Sequence, residues 1–401
     1  MKVLFYGETP VAETGAGRVD RHIIDVLVEL GIEVEVIGMS HAFETYDRMR
    51  YPYDITSINS HEEAAEKLAE RIDQYDTLFI SADMHVPGQF AELFPGKRVI
   101  VLGAIDGPVF HKDQVHTFQD VQYPIVYSRY AYNQVLNVLP ELKGKLYCTP
   151  LGCEPDTVYP ISAEERKEYR KRVFGIGDDT FLVMNVNRNQ RRKDLARSIA
   201  AFKLFHDRVP DSKLFLLSCK SDVGGDLGLQ SYFLGLDPYS PTSPVMFCPP
   251  EYTPLAGFER DKYNRMLCSA DVGISTAQGE GWGLTTTEFL AAQTPFIGPA
   301  NTSFFEILGR ERERGAGPGS RGYLVKCGGN ELFSVFYGHD DSVRPITSVE
   351  DMAKTIEHVY YHRDEAATKA KRGRKWAKVH TWEKFKDQWR AIILEAEADG
   401  E

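Results

Sequence analysis

The sequence predicts an α/β protein built from two parallel-sheet domains. Three observations carry this reading. Short apolar runs alternate with amphipathic stretches along the chain, the pattern of strands joined by helical crossovers. The alternation breaks at Leu151–Pro160, a stretch with two prolines and no clear period, and then restarts. The chain has 401 residues, enough for two domains of ordinary size.

Lys2–Tyr6 reads as the first strand and Gly7–Gly17 as a loop. Arg18–Leu30 carries apolar residues at 19, 23, 24, 27, 28 and 30, a helical spacing. Gly31 ends that helix and Glu33–Gly38 is the next strand. Strands are then expected at Thr77–Ser81, Arg98–Gly103, Pro124–Tyr127 and Leu146–Thr149, with helices near Glu62–Gln74 and Tyr130–Val138. After the break, Ser162–Val173 reads as a charged helix. Strands follow at Phe181–Val186, Lys213–Ser218, Val245–Phe247, Val272–Ser275, Pro295–Gly298 and Gly322–Val325. Helices are expected at Leu195–Arg208, Asp261–Ala270, Leu284–Gln293, Ser348–His362, Asp364–Val379 and Trp382–Ala396. Gly224–Pro244, rich in Gly, Ser and Pro, reads as a long connection with one short helix.

The most informative stretch is Gly279-Glu280-Gly281-Trp282-Gly283-Leu284-Thr285-Thr286-Thr287-Glu288. It joins an apolar strand to a helix, and such junctions lie where open α/β sheets bind ligands. Gly281 and Gly283 allow close backbone approach. The N–H groups near Leu284 and Thr285 would favour an anion such as phosphate. Glu280 in the loop and Glu288 one turn into the helix are acceptors suited to the diols of a sugar and a ribose. The plain alternative is a βα turn with a capping glutamate.

A second loop, Asn187-Arg188-Asn189-Gln190-Arg191-Arg192-Lys193-Asp194, repeats the strand–loop–helix placement. Four cations at a strand's carboxyl end are costly unless they meet anions. Guanidinium and ammonium groups there can hold a diphosphate. The alternative is a solvated basic loop.

In the first half, Gly15-Ala16-Gly17 lacks the third glycine of a dinucleotide fingerprint and lies too far past its strand. It reads as a longer glycine loop, functional or simply a surface loop. Asp83 and His85 follow the strand Thr77–Ser81, and Asp106, before Gly107-Pro108, follows another. These are site positions, although His85 can be solvated and Asp106 can hold a turn.

Taken together, the two loops resemble those of retaining glycosyltransferases of the GT-B fold, family four. The motif pair is Asn187-Arg188-Asn189-Gln190-x-Arg192-Lys193-Asp194 with Gly279 to Leu284 and Glu288, and the E-x7-E spacing is that family's hallmark. The resemblance covers most of the second domain. It extends more weakly to the glycine loop and to Thr381-Trp382-Glu383.

The resemblance implies two Rossmann-like domains facing a cleft: 1–155 for the acceptor, 156–380 for the donor, and a C-terminal helix at 381–401 crossing back to the first. It implies that Arg188 and Lys193 bind the donor diphosphate, Glu280 the transferred sugar and Glu288 the ribose. Gly281, Trp282, Gly283, Leu284 and Thr285 would lie against sugar and phosphate, and Gly15 and Gly17 would match the family's glycine loop. The co-substrate would be a UDP- or GDP-sugar. Trp282 replaces the usual Phe, and Leu151-Gly152-Cys153-Glu154 replaces the frequent His-Gly-Val-Asp. The usual histidine of the first domain has no clear counterpart, with Ser81, Asp83 and His85 competing for it.

The chain has no Asp-x-Asp pair, so Arg188, Lys193 and the helix N-terminus at Leu284–Thr285 are expected to stabilise the leaving diphosphate without metal. Nothing marks a carboxylate nucleophile for double displacement. A front-face substitution is expected, with Asp106 or His85 orienting the acceptor hydroxyl.

The formal net charge of −11 argues against a broad nucleic-acid surface and leaves room for a local basic cleft. A transferase acting on a hydroxymethylated DNA base therefore stays as a rival, as do a sugar-nucleotide epimerase and a non-catalytic sugar-nucleotide binder. The six cysteines are scattered without a Cys-x-x-Cys and read as free thiols in a reducing cytosol. No run is long enough to span a bilayer, and Met1–Tyr6 lacks a signal-peptide core, so a cytoplasmic protein is expected.

Overall fold

A computed structural model of the chain describes residues 1–39, 45–83, 94–248, 259–309, 319–329, 333–335 and 343–399. The chain divides into two compact units. One comprises Met1–Gly152 and the segment from Trp382 onward, and the other lies within 153–381.

The first unit holds a seven-stranded parallel sheet: β1 (Lys2–Glu8), β2 (Glu33–Met39), β3 (Asp54–Ile58), β4 (Thr77–Asp83), β5 (Arg98–Ala104), β6 (Tyr123–Val126) and β7 (Tyr147–Cys148). Their order is β3-β2-β1-β4-β5-β6-β7, so the direction of winding reverses between β1 and β4. Leu4, Tyr6, Leu78, Ile80 and Val101 put one face of the sheet into a core closed by Ala64, Leu68, Ala131 and Val135 of its helices. The helix Trp382–Ala398 belongs to this unit. Its Trp382, Phe385, Trp389, Ile392, Ile393 and Ala396 are buried, and its Lys386 and Arg390 donate to Glu29 at 2.6 and 2.8 Å. The Trp382 ring stacks on His22 with centroids 4.2 Å apart.

The second unit holds a six-stranded parallel sheet: β8 (Phe181–Val186), β9 (Ser212–Leu217), β10 (Val245–Phe247), β11 (Val272–Ile274), β12 (Phe296–Pro299) and β13 (Tyr323–Val325). The order is β10-β9-β8-β11-β12-β13, with its reversal between β8 and β11. Every residue of β8 is buried, as expected for a central strand covered on both faces. Phe181, Val183, Ile274 and Ile297 pack with Phe202 and Phe205 of the helix Leu195–His206 and with Met352 and Ile356 of Val349–Tyr361.

Several elements depart from expectation. Gly15 and Gly17 are not loop residues: they form the first turn of the helix Gly15–Glu29, because the Thr14 side chain accepts from Gly17 N at 3.0 Å and caps it. A Cβ on Gly17 would stand 2.6 Å from Ala12 O and 2.7 Å from Thr9 O, so the preceding loop folds against a bare α-carbon. The charged helix ends at Tyr169, and Arg170–Phe174 continues as a π turn. Strand β3 has no counterpart among the expected strands. The long connection carries the helix Leu227–Phe233 and, before it, a two-stranded hairpin of Ser221–Asp222 and Gly225–Asp226.

Candidate functional site

The two motif loops leave the carboxyl ends of β8 and β11, the strands on either side of the reversal in the second sheet. That junction is the general ligand position in open α/β sheets, because the loops there part to opposite faces. The loops are joined by hydrogen bonds. Gln278 N donates to Arg192 O at 2.7 Å, Gln278 Nε2 to Asp194 Oδ2 at 3.0 Å, and Thr276 Oγ1 to Asp194 O at 2.8 Å. Below them Ser198 Oγ meets Thr276 Oγ1 and accepts from Asn185 Nδ2, each at 2.8 Å. Asp194 sits in the left-handed region at φ 50, where the chain turns into the helix Leu195–His206. Burial pushes its carboxyl up, opposed by the bond from Gln278 and the charge of Arg197.

Glu280 is the centre of the site. It is 8% exposed and forms ion pairs with Lys193 and, at 3.5 Å, with Arg192. Its backbone is fixed as well: Glu280 N donates to Thr302 Oγ1 at 3.0 Å, and Ser303 Oγ shares its one proton between Glu280 O at 2.9 Å and Trp282 O at 2.6 Å. Arg188 is exposed and bonds through Nε to Asp222 Oδ2 at 2.9 Å, which holds that carboxyl below its ordinary value. The hairpin carrying Asp222 is pinned to the same loop by Asn189 Nδ2 to Gly225 O at 2.7 Å and Gly224 N to Asn189 O at 3.0 Å.

Gly283 caps the helix Leu284–Ala291 at φ 96, a conformation that favours glycine. No side chain caps this helix and no acidic residue lies in its first turn. Its first-turn N–H groups therefore have no side-chain acceptor, the arrangement that suits an anion. Gly281 and Trp282 are buried, while Gly283, Leu284 and Thr285 are partly exposed. Glu288, 7% exposed, accepts from Tyr263 OH at 2.7 Å and lies 3.6 Å from Arg260 Nη1.

Arg188, Lys193, Glu280, Gly281, Trp282, Gly283, Leu284, Thr285 and Glu288 thus gather in the second unit. Gly15, Gly17 and Asp106 belong to the first, where the half-buried Asp106 follows the carboxyl end of β5. His85 lies outside the described residues. The site also holds Asp222, Arg192 as a partner of Glu280, Tyr263, Arg260, Thr302 and Ser303, none of them among the expected site residues. Only Arg192 lay inside a motif; the others are distant in sequence and carry no local signal.

Asp20, in the first unit, carries no local signal either. This carboxylate is 1% exposed, accepts from Glu8 N at 2.8 Å and from Ser81 Oγ, and so ties the carboxyl ends of β1 and β4 where the first sheet reverses. Burial raises it well above the ordinary carboxylate range. A raised folded-state value favours the folded protein fully below the unfolded value of about 4, and that contribution is lost as pH rises. Asp20→Asn is therefore expected to gain melting temperature relative to the parent between pH 5 and pH 8. A difference that stays constant across this range would contradict the assignment.

The sequence matches no family model and no curated protein. Its structure is similar to that of Anabaena Alr3699/HepE in complex with UDP and glucose, at 14% identity, with 98% of this chain and 100% of that chain covered and a TM-score of 0.71. Sucrose-phosphate synthase from Thermosynechococcus elongatus is similar at 16% identity, with both chains fully covered and a TM-score of 0.69. WaaG, a glycosyltransferase involved in lipopolysaccharide biosynthesis, is similar at 15% identity, with 98% and 99% covered and a TM-score of 0.68. At such identities the likeness defines the fold: two Rossmann-like parallel-sheet domains, the GT-B class. Among the described residues no helix is long and apolar enough to cross a membrane.

Proposed function

We propose that the chain is a retaining glycosyltransferase that moves a hexose from a UDP- or GDP-sugar to an acceptor hydroxyl without metal. One observation carries the reading: a basic loop and a Gly-Glu-Gly-Trp-Gly loop flank the reversal of one sheet and are bridged by Lys193 and Glu280. The fold shared with HepE, whose structure contains UDP and glucose, supports it.

In this reading the second unit takes the donor and the first takes the acceptor. Arg188, Lys193 and the uncapped helix end at Leu284–Thr285 receive the diphosphate. Glu280 receives hydroxyls of the sugar, and Glu288 those of the ribose. The bond from C1 to the phosphate oxygen breaks as the acceptor oxygen bonds to C1 on the same face. The acceptor proton passes to the departing phosphate oxygen. Asp106 and His85 are the candidates to orient the acceptor.

A panel of nucleotide sugars scored by thermal shift in chelator tests the reading. Ligand at about 100 times its Kd stabilises the folded state by about 2.7 kcal/mol. One donor should raise the melting temperature with chelator present, and its product should keep the donor's anomeric configuration by NMR. Binding that vanishes on chelation would defeat metal independence, and inversion at C1 would defeat retention.

A further inference from the structure

The second unit has a pocket of about 440 Å³ away from the motif loops. Asp178, Asp271, Thr294 and Pro295 line it, and these residues precede β8, β11 and β12. It therefore lies at the amino ends of the central strands, whereas the motif loops leave their carboxyl ends.

Its wall is built around one carboxylate. Asp271 accepts from Leu182 N at 2.7 Å, Arg166 Nη2 at 2.9 Å, Arg170 Nη1 at 3.1 Å and Arg363 Nη1 at 3.2 Å. Three guanidinium groups thus share a single anion. The Arg170 side chain is fully buried and spends its other donors on Ser269 O, Gly177 O and Thr180 O. Arg166 and Arg363 are different, because both line the pocket and their side chains stay partly exposed. Arg166 is held by bonds to Cys268 O at 3.1 Å and Ser269 O at 3.3 Å. Arg363 is held by a bond to Tyr360 O at 2.9 Å and by the Phe181 ring, 4.2 Å below its guanidinium. The other acid in the wall, Asp178, lies 3.8 Å from Lys167 Nζ. Positive charge is left over in a partly desolvated recess, on two planar groups whose orientation is already fixed.

We propose that this pocket binds a small phosphate monoester, its phosphate held by Arg166 and Arg363. Fixed guanidinium groups suit the oxygens of phosphate, and preorganisation lowers the entropy lost on binding. The volume admits a phosphate with a small organic body. None of the donor-loop residues lines it.

The test is calorimetry on the full chain with inorganic phosphate and with glycerol phosphate, using glycerol as the uncharged control. Lys193→Ala removes one cation of the basic loop and should leave the phosphate binding of this pocket in place. Arg363→Met keeps an unbranched apolar stem and removes the charge. Ala367→Glu adds a carboxylate at an exposed wall residue without removing any bond of the Asp271 cluster. Both pocket variants should weaken binding of both phosphates roughly tenfold or more, the scale of a lost charge-assisted hydrogen bond. Absence of phosphate binding at millimolar concentration in the parent protein would overturn the proposal. So would binding that is lost in Lys193→Ala and kept in Arg363→Met and Ala367→Glu.

Discussion

Lys193→Ala and Arg188→Ala are each expected to lower transfer turnover by roughly 100-fold or more, the scale of losing one group that stabilises developing charge. The structure separates the two. Lys193 is mostly buried and ion-paired with Glu280, whereas Arg188 is exposed and bonded to Asp222. Lys193→Ala leaves Glu280 beside Arg192 at 3.5 Å, so the carboxylate keeps a partner and the fold should persist. Arg188→Ala leaves Asp222 still accepting from Val223 N at 2.8 Å, so the fold should persist there too. Steady-state turnover with the donor identified by thermal shift, alongside melting curves, checks both. Two variants that turn over at near-normal rates would remove these residues from the reaction.

Glu280→Gln should uncouple transfer from diphosphate binding. In the free protein the Glu280 carboxylate occupies the cations that a diphosphate would take. Glutamine keeps the shape and one acceptor oxygen but no longer competes for Lys193 and Arg192. Affinity for free nucleoside diphosphate is therefore expected to hold or rise, while transfer falls roughly 100-fold as the charge-assisted bonds to the sugar are lost. Glu288→Gln should weaken both, because ribose is present in donor and product alike. A hydrogen bond to a charged group contributes about 1.5–3 kcal/mol, so its diphosphate affinity should drop roughly ten- to a hundredfold. Calorimetry with the free diphosphate decides it. Equal weakening by the two variants would end the division of labour between the glutamates.

Most strands and helices were legible because each carries its own periodicity. β8 reads as a buried strand from Phe181–Val186 alone. Strand β3 was not legible, for a physical reason. At the edge of its sheet, Asp-Ile-Thr-Ser-Ile needs no continuous apolar run, and only Ile58 is fully buried. The helix Gly15–Glu29 was read as starting late because two glycines in its first turn lower helix propensity, and the cap at Thr14 outweighs them. Arg170, at the start of the π turn, bonds to Asp271, far along the chain, and no local pattern announces such a partner. The motif loops were found because glycine spacing and clustered charge are local properties. Their tertiary partners, Asp222, Tyr263 and Thr302, were not.

The return of Trp382–Ala398 to the first unit has a consequence for biosynthesis. Domains ordinarily fold in the order in which they emerge from the ribosome. Here the residues of the second unit have all been made before this helix appears, and the first unit still lacks Trp389 and Ile393 from its core. The helix Gly15–Glu29 waits through most of translation for the segment that covers it. The first unit to begin is the last to be finished, and a nascent chain stalled before Trp382 would present an open apolar face to chaperones.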